Sequence, residues 1–421
     1  MNKVTIKHLK VNDLIINAQT EPKKAADTFN EFFTSIGQKL QDNFSSTEPI
    51  ESNKPYETSF DDSFLSPVNS NEIIDLINSL KDDTASGFDK ITVKLLKNIS
   101  VFISSPLAHI YNMSLSEGIF PTKFKLAIVK PLFKKGNKES MSNYRPISMI
   151  CNFSKLLEKI VKYRLMSFLE KHHLLSKNQF GFRPGVGTVD AIYSVSRHIY
   201  KGLDRGDKTV GIFLDFAKAF DTVDHKILLK TLPNFGIKNN SLSWFASYLK
   251  DRMQMVMVND VLGKELVFNC GVPQGTDGLI STYADDTCLL FFDTSWDSVY
   301  AKASTGLNQI IRKLNTKKIT LNLDKTEFIA FSIYSYQSPF EEIEITDNIH
   351  NHNGCKIKRV TRNRTYDISN NYTKKTIGQR FVDYLGPTFF NAMPFAIKKT
   401  IRSNPKSNHK LIIYNWLLQE I

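Results

Sequence analysis

Apolar residues recur at helical spacing from Lys23 to Leu40, where Ala26, Phe29, Phe33, Ile36 and Leu40 fall on one face. A polar stretch without periodicity, 41–60, follows with Pro49 and Pro55 among Ser and Asn, and predicts a linker. The pattern predicts a second helix over Asn71–Leu80, stopped by the Asp/Ser/Gly cluster at 82–87, and further helices over Lys155–Lys171 and Val189–Leu203. Thr209–Phe216 (TVGIFLDF) is short, β-rich and almost wholly apolar, the pattern of a strand buried on both faces. From Arg252 to Val258, Met253, Met255 and Met257 alternate with Gln254, Val256 and Val258, and Glu265–Cys270 follows after a glycine, which predicts a hairpin. Tyr283–Phe292 (YADDTCLLFF) predicts another, with Asp285 and Asp286 at its tip. Mixed helices with a small, largely antiparallel sheet, and no internal repeat, imply an α+β class.

At 421 residues the chain exceeds one comfortable core, so several subdomains are expected. The divisions are an N-terminal helical segment and linker (1–60), a helical region (61–125), a central unit (126–335) and a C-terminal tail (336–421). An apolar fraction of 41% is ordinary, and no apolar run approaches the roughly 20 residues that would cross a bilayer. The N-terminus lacks the apolar block of a signal peptide, so an intracellular location, nuclear or cytoplasmic, is expected. Cys151, Cys270, Cys288 and Cys355 lie far apart without a C-x-x-C pair, which argues against a disulfide framework or a structural zinc. His350, His352 and Cys355 have the donor types of a metal site but no evident fourth ligand, and their Asn-rich surroundings favour a loop. The net charge of +13 is unevenly spread: 356–421 holds thirteen Lys/Arg against three Asp/Glu. Such a surface suits a polyanion such as nucleic acid, or is simply a solvated tail.

Candidate chemistry narrows the choice. Transfer of a nucleotide to a primer hydroxyl needs that hydroxyl activated and the charge on departing pyrophosphate neutralised, which two Mg²⁺ ions roughly 3.5–4 Å apart can do. The protein must then present clustered carboxylates on rigid elements. An apolar strand ending in Asp215, followed by a hairpin bearing Asp285 and Asp286, supplies that set. Alone, an Asp-Asp pair is commonly only a turn.

The blocks KPLFKKG at Lys130, NYRPIS at Asn143, NQFGFRPGVGT at Asn178, FLDFAKAFDTVDH at Phe213, GVPQGT at Gly271, YADDT at Tyr283 and LNLDKTEFIAF at Leu321 occur in one order. Together they resemble the reverse transcriptase domain of non-LTR retrotransposons of the jockey kind. The resemblance implies the fingers and palm of a right-hand polymerase, with a small antiparallel palm sheet backed by helices. It implies that Asp215, Asp285 and Asp286 bind two Mg²⁺ ions with help from the Phe216 carbonyl, and that Phe220 lies under the incoming sugar. By the same resemblance Lys130 and Arg183 hold the triphosphate, Gln274 and Gly275 lie beside the nascent pair, Lys325 protonates pyrophosphate, and Tyr144 and Arg145 lie near the template. The implied partners are an RNA template, a DNA primer and dNTPs.

Two departures from the family pattern are visible. Only DGLIST separates Thr276 from Tyr283, where the family has a helix and a strand, so the palm sheet is expected to lose a supporting element near 277–282. After KIKRV at Lys356 the chain passes directly to its tail, so the thumb is expected to be missing. The alternative function is therefore a catalytically inactive, internally shortened copy that retains at most nucleic-acid binding.

Overall fold

The computed structural model describes residues 5–11, 14–42, 64–268, 270–272, 287–332, 340–345 and 356–359. Strands β1 (His8–Val11) and β2 (Leu14–Asn17) form a hairpin and lead into helix α1 (Pro22–Asp42). Helices α2 (Ser70–Ser79) and α3 (Val93–Glu117) follow, then strands β3 (Leu126–Phe133) and β4 (Tyr144–Met149) and helices α4 (Asn152–Lys171) and α5 (Thr188–Asp204). Next come β5 (Lys208–Leu214), α6 (His225–Thr231), α7 (Asn239–Leu249), β6 (Arg252–Val258), β7 (Val261–Leu262) and β8 (Leu266–Phe268). The last described elements are β9 (Thr287–Asp293), α8 (Trp296–Thr316), β10 (Glu327–Phe331), β11 (Glu342–Glu344) and β12 (Lys356–Arg359).

Local chemistry sets the helix ends. The Asn69 side chain accepts from the Glu72 N–H at 2.9 Å to open α2, and Thr92 does the same for α3 through Leu95. Gly118, at φ +68°, ends α3 in the left-handed conformation that glycine adopts without strain.

Two five-stranded sheets carry the architecture. In the first, β3 pairs antiparallel with β4 and parallel with β6, and β6 pairs antiparallel with both β7 and β8. Helix α1 packs on β6, β7 and β8, burying Ala26, Phe29 and Phe33 with Val129, Tyr144, Val256 and Val258. The N-terminal segment is thus built into this sheet: Asn259 donates to the carbonyls of Ile6 and Ala18, each at 2.9 Å. Beneath it α2, α3, α4 and α7 enclose a core of Ile73, Leu96, Tyr111, Phe120, Leu157 and Trp244.

The second sheet has the order β11-β12-β10-β5-β9, antiparallel except for the β10/β12 pair. β5 is buried at every position after Lys208, as its apolar pattern predicts. One face, Val210, Ile212 and Leu214, packs on Val299, Ala303, Leu307 and Ile311 of α8. The opposite face meets α5, where Gly202 sits so close to Phe292 and Thr209 that a Cβ would lie 2.6 Å from the ring. Both faces are therefore lined, yet β9, an edge strand like β11 among the described residues, is only half-buried along all seven residues. This is where the shortened 277–282 interval predicts lost support. The division at 335/336 needs correction, because β11 and β12 complete this sheet and Lys356–Arg359 belongs to it rather than to a tail. The thumb, the 41–60 linker beyond Asp42 and the His350/His352/Cys355 loop fall outside the described residues.

Candidate active site

Asp215 follows directly on β5, where the sheet ends and one short loop closes around it. The Asn322 N–H donates to the Asp215 carbonyl at 2.8 Å, and the Asp215 N–H donates to Thr326 Oγ1 at 3.3 Å. Lys325 Nζ, in the 3-10 turn Leu323–Lys325, donates to Asp215 Oδ2 at 3.0 Å. The carboxylate is mostly buried (16% exposed) and the lysine is 43% exposed, so the pair sits at the rim rather than in the core. Phe216 faces Leu321 in an isolated antiparallel bridge whose hydrogen bonds come from its neighbours, Asp215 and Ala217. Alternation along an extended chain then turns the Phe216 carbonyl away from the 320–322 loop.

Beyond Phe216 the chain turns through Phe220, whose half-buried ring meets Phe182 edge-on with centroids 6.3 Å apart. The Phe220 carbonyl accepts from Val272 N–H and the Val223 carbonyl from Gly271 N–H, both at 2.8 Å. Gly271 takes φ +82°, and His225 Nε2 contacts its carbonyl at 2.7 Å. The start of the GVPQGT block is thereby pinned to the loop after Asp215. Gln274, Gly275, Asp285 and Asp286 lie outside the described residues. The strand that follows the acidic pair begins at Thr287, which pairs with Leu214, immediately before Asp215.

Of the cations near Asp215, Arg145 and Lys325 are among those the sequence singled out, and Lys134 is not. Lys134, which follows β3, has its ammonium held below its usual pKa first by burial and then by the neighbouring charges of Arg145 and Lys325, with Asp215 acting in the opposite direction. Lys134, Arg145, Lys325 and Asp215 therefore form one electrostatic group. Lys130 is exposed four residues earlier, on β3. Sequence reasoning chose Lys130 within KPLFKKG, and only the strand's end at Phe133 separates the two lysines.

Tyr144 and Arg183, two of the expected site residues, are engaged within the protein. Tyr144 is buried, its ring edge-on to Phe29 and Phe133 and its hydroxyl donating to the Lys138 carbonyl at 2.6 Å, so it belongs to the core. Arg145, its neighbour on β4, projects from the opposite face and is exposed. Arg183 engages both carboxylate oxygens of Glu170, at 2.7 and 2.8 Å, and donates through Nη1 to the Ser176 and Gln179 carbonyls. Its guanidinium thereby pins the GFR turn to the end of α4.

Among the described residues no group of three or more His, Cys, Asp or Glu could hold a metal ion. Asp215 supplies one carboxylate, and the Lys325 ammonium lies where a cation would bind it. That donor chemistry fits a hard divalent ion once Asp285 and Asp286 join it. No described helix is long and apolar enough to cross a membrane.

A family model described as "Reverse transcriptase (RNA-dependent DNA polymerase)" matches residues 133–278. The match ends inside the shortened interval, before the acidic pair. The chain is 28% identical over 320 residues to the "Probable RNA-directed DNA polymerase from transposon BS" of Drosophila melanogaster, covering 68% of this chain and 33% of that protein. It is 28% identical over 342 residues to the "RNA-directed DNA polymerase from mobile element jockey" of the same fly, covering 73% and 36%. For the "Probable RNA-directed DNA polymerase from transposon X-element", also from that fly, the identity is 27% over 257 residues, covering 54% and 28%. The chain spans about a third of the length of these curated relatives.

Proposed function

Because the chain carries a reverse transcriptase domain and is homologous to the RNA-directed DNA polymerases of non-LTR transposons, we propose that it extends a DNA primer on an RNA template with dNTPs. The observation that carries this reading is the clasp on Asp215: three hydrogen bonds between it and the 322–326 loop, two to its backbone and one to its carboxylate, hold it at the end of a buried strand.

In this reading Asp215, Asp285 and Asp286 would hold two Mg²⁺ ions with the Phe216 carbonyl. The strand that follows the acidic pair in sequence starts at Thr287, opposite Leu214 and next to Asp215. When bound, such ions activate a primer hydroxyl and neutralise charge on the leaving pyrophosphate. The primer 3′ hydroxyl releases its proton to solvent as its oxygen attacks the α-phosphorus, and the bond from the α-phosphorus to the oxygen bridging to the β-phosphate breaks. Lys325 leaves Asp215 and gives a proton to the pyrophosphate. Lys134 and Arg145 balance the charge of the triphosphate, the part first expected of Lys130 and Arg183. Phe220 shapes the floor under the incoming sugar, and Gln274 and Gly275 lie beside the new pair.

Primer extension by the purified chain with dNTPs and Mg²⁺ tests this. Asp215→Asn should lower extension by at least about a hundredfold. Equal signal from both proteins would overturn the assignment. A second reading, a non-catalytic nucleic-acid binder, draws support from the net charge of +13 and from the half-exposed β9. It predicts salt-dependent binding that Asp215→Asn leaves intact, with no extension by either protein.

A further inference from the structure

Helix α5 has two unlike faces. Inward, Ile192, Ile199 and Gly202 are buried, and the close fit of Gly202 against Phe292 and Thr209 fixes the helix's rotation. Outward, Val189 (58% exposed), Tyr193 (38%) and Tyr200 (55%) recur at four- and seven-residue spacing, so they form one line along the helix. Arg197 and Lys201, both exposed, flank that line. Asp190, on the same helix, is spent on the Gly187 N–H at 2.7 Å. Six residues before the helix begins, Phe182 is 47% exposed, and its ring contacts Phe220 in the loop after Asp215.

An aliphatic docking face would not interleave rings with cations. Phenol rings that are half in water, beside guanidinium and ammonium groups, suit a partner with flat apolar faces and regular negative charge. A single strand of nucleic acid has both, whereas a duplex keeps its base faces stacked. Val189 and Tyr200 are about 16 Å apart along the axis, and Tyr193 and Tyr200 about 10 Å, so each ring can take a different base. The only unpaired strand beside a polymerase site is template not yet copied. Resting on the polymerase reading, we infer that the outward face of α5 is a stacking track for single-stranded template, leading from Phe182 past Tyr193 to Tyr200.

The test compares two labelled RNA/DNA primer–template duplexes, one with a single-stranded 5′ template overhang and one blunt, by fluorescence anisotropy with the full chain at one ionic strength. The wild type should prefer the overhang. Tyr193→Ala and Tyr200→Ala should each weaken overhang binding on the order of tenfold and leave blunt binding unchanged. Tyr193→Phe and Tyr200→Phe should keep wild-type affinity, because stacking needs the ring and not the hydroxyl. Equal losses on both duplexes, no loss on either, or no overhang preference in the wild type would overturn the track; a face that instead serves a protein partner gives the second of these. If the wild type prefers the overhang and the Ala variants lose that preference, but nothing extends a primer, the track stands and the polymerase reading fails. If extension is robust and the Ala variants bind like wild type, the reverse holds.

Discussion

Thr326 is 1% exposed, and its hydroxyl serves twice: it donates to the Asn322 carbonyl at 2.9 Å and accepts from the Asp215 N–H. Thr326→Val keeps the shape and removes both bonds. It should cost about 1–3 kcal/mol, measured by denaturant unfolding, and should lower extension because the aspartate loses its tether. Asp221, one residue past Phe220, gives a pH signature. Burial raises its carboxyl to about 6, with Lys218 opposing the shift. The native state then binds more protons than the unfolded chain between about pH 4 and 6, so this group's contribution to stability falls as pH rises through that window. Relative to wild type, Asp221→Asn should gain in melting temperature between pH 5 and pH 7.5; a gap that stays constant would show that Asp221 does not titrate there. At this scale the sequence was most legible in the apolar run that announced the strand before Asp215, whose contact with Lys325 spans 110 positions. It was least legible where a partner decides: nothing in GFR announces that Glu170 takes the Arg183 guanidinium, and nothing in NYR says which neighbour faces inward.

Among the elements, the turn from α7 into β6 holds the most heavily buried charge. Arg252 is fully buried, its guanidinium 4.6 Å from the Tyr248 ring centroid and 5.8 Å from that of Phe120, and it donates to the Tyr248 carbonyl. The Glu158 carboxyl on α4 is pushed up by burial, with Arg252 the main opposing influence. Arg252→Ala removes the main charge opposing burial of that carboxyl, with only the weaker influence of Lys155 left, and should destabilise the fold by about 3–5 kcal/mol, read as a shift in denaturation midpoint. The elements with one apolar face, α1, α2, α4 and α5, could be read from spacing within a few residues of their observed ends. Helix α3 could not. It carries an interior Pro106 and a second apolar stripe, with Leu95, Phe102, Ile110 and Met113 exposed opposite the buried Leu96, Leu107 and Tyr111, and two stripes on one helix cancel the periodic signal. The β1/β2 hairpin was equally hidden, since four-residue strands offer too few alternations to register.

For the whole molecule, the unequal burial of the second sheet has a measurable outcome. β5 lies between β10 and β9 and is buried, whereas β9 is half-exposed. Amide exchange should therefore be slowest in β5 and clearly faster in β9, and equal protection would mean that another segment covers the edge. Charge belongs to this scale as well. Deleting 360–421, and so sparing β12, removes ten Lys/Arg and three Asp/Glu; it should flatten the dependence of nucleic-acid affinity on salt. The sequence pattern predicts one small, largely antiparallel sheet, whereas the division into two sheets, like the join of β10 to β12, depends on contacts between distant segments.

The clasp on Asp215 also bears on when the site comes into being. Its three bonds arrive from residues more than a hundred positions later, so they require closure of a long loop and the docking of β10. Contacts of that sequence separation form slowly compared with the local helices on either side. During synthesis the blocks through GVPQGT emerge and fold around an aspartate whose own amide has no acceptor yet. A chain interrupted anywhere before Thr326 would carry most of the domain's sequence and still lack the clasp that fixes Asp215. An ordered Asp215 is thus deferred until the second sheet closes, and synthesis past Thr326 becomes a precondition written into the hydrogen bonds of one residue.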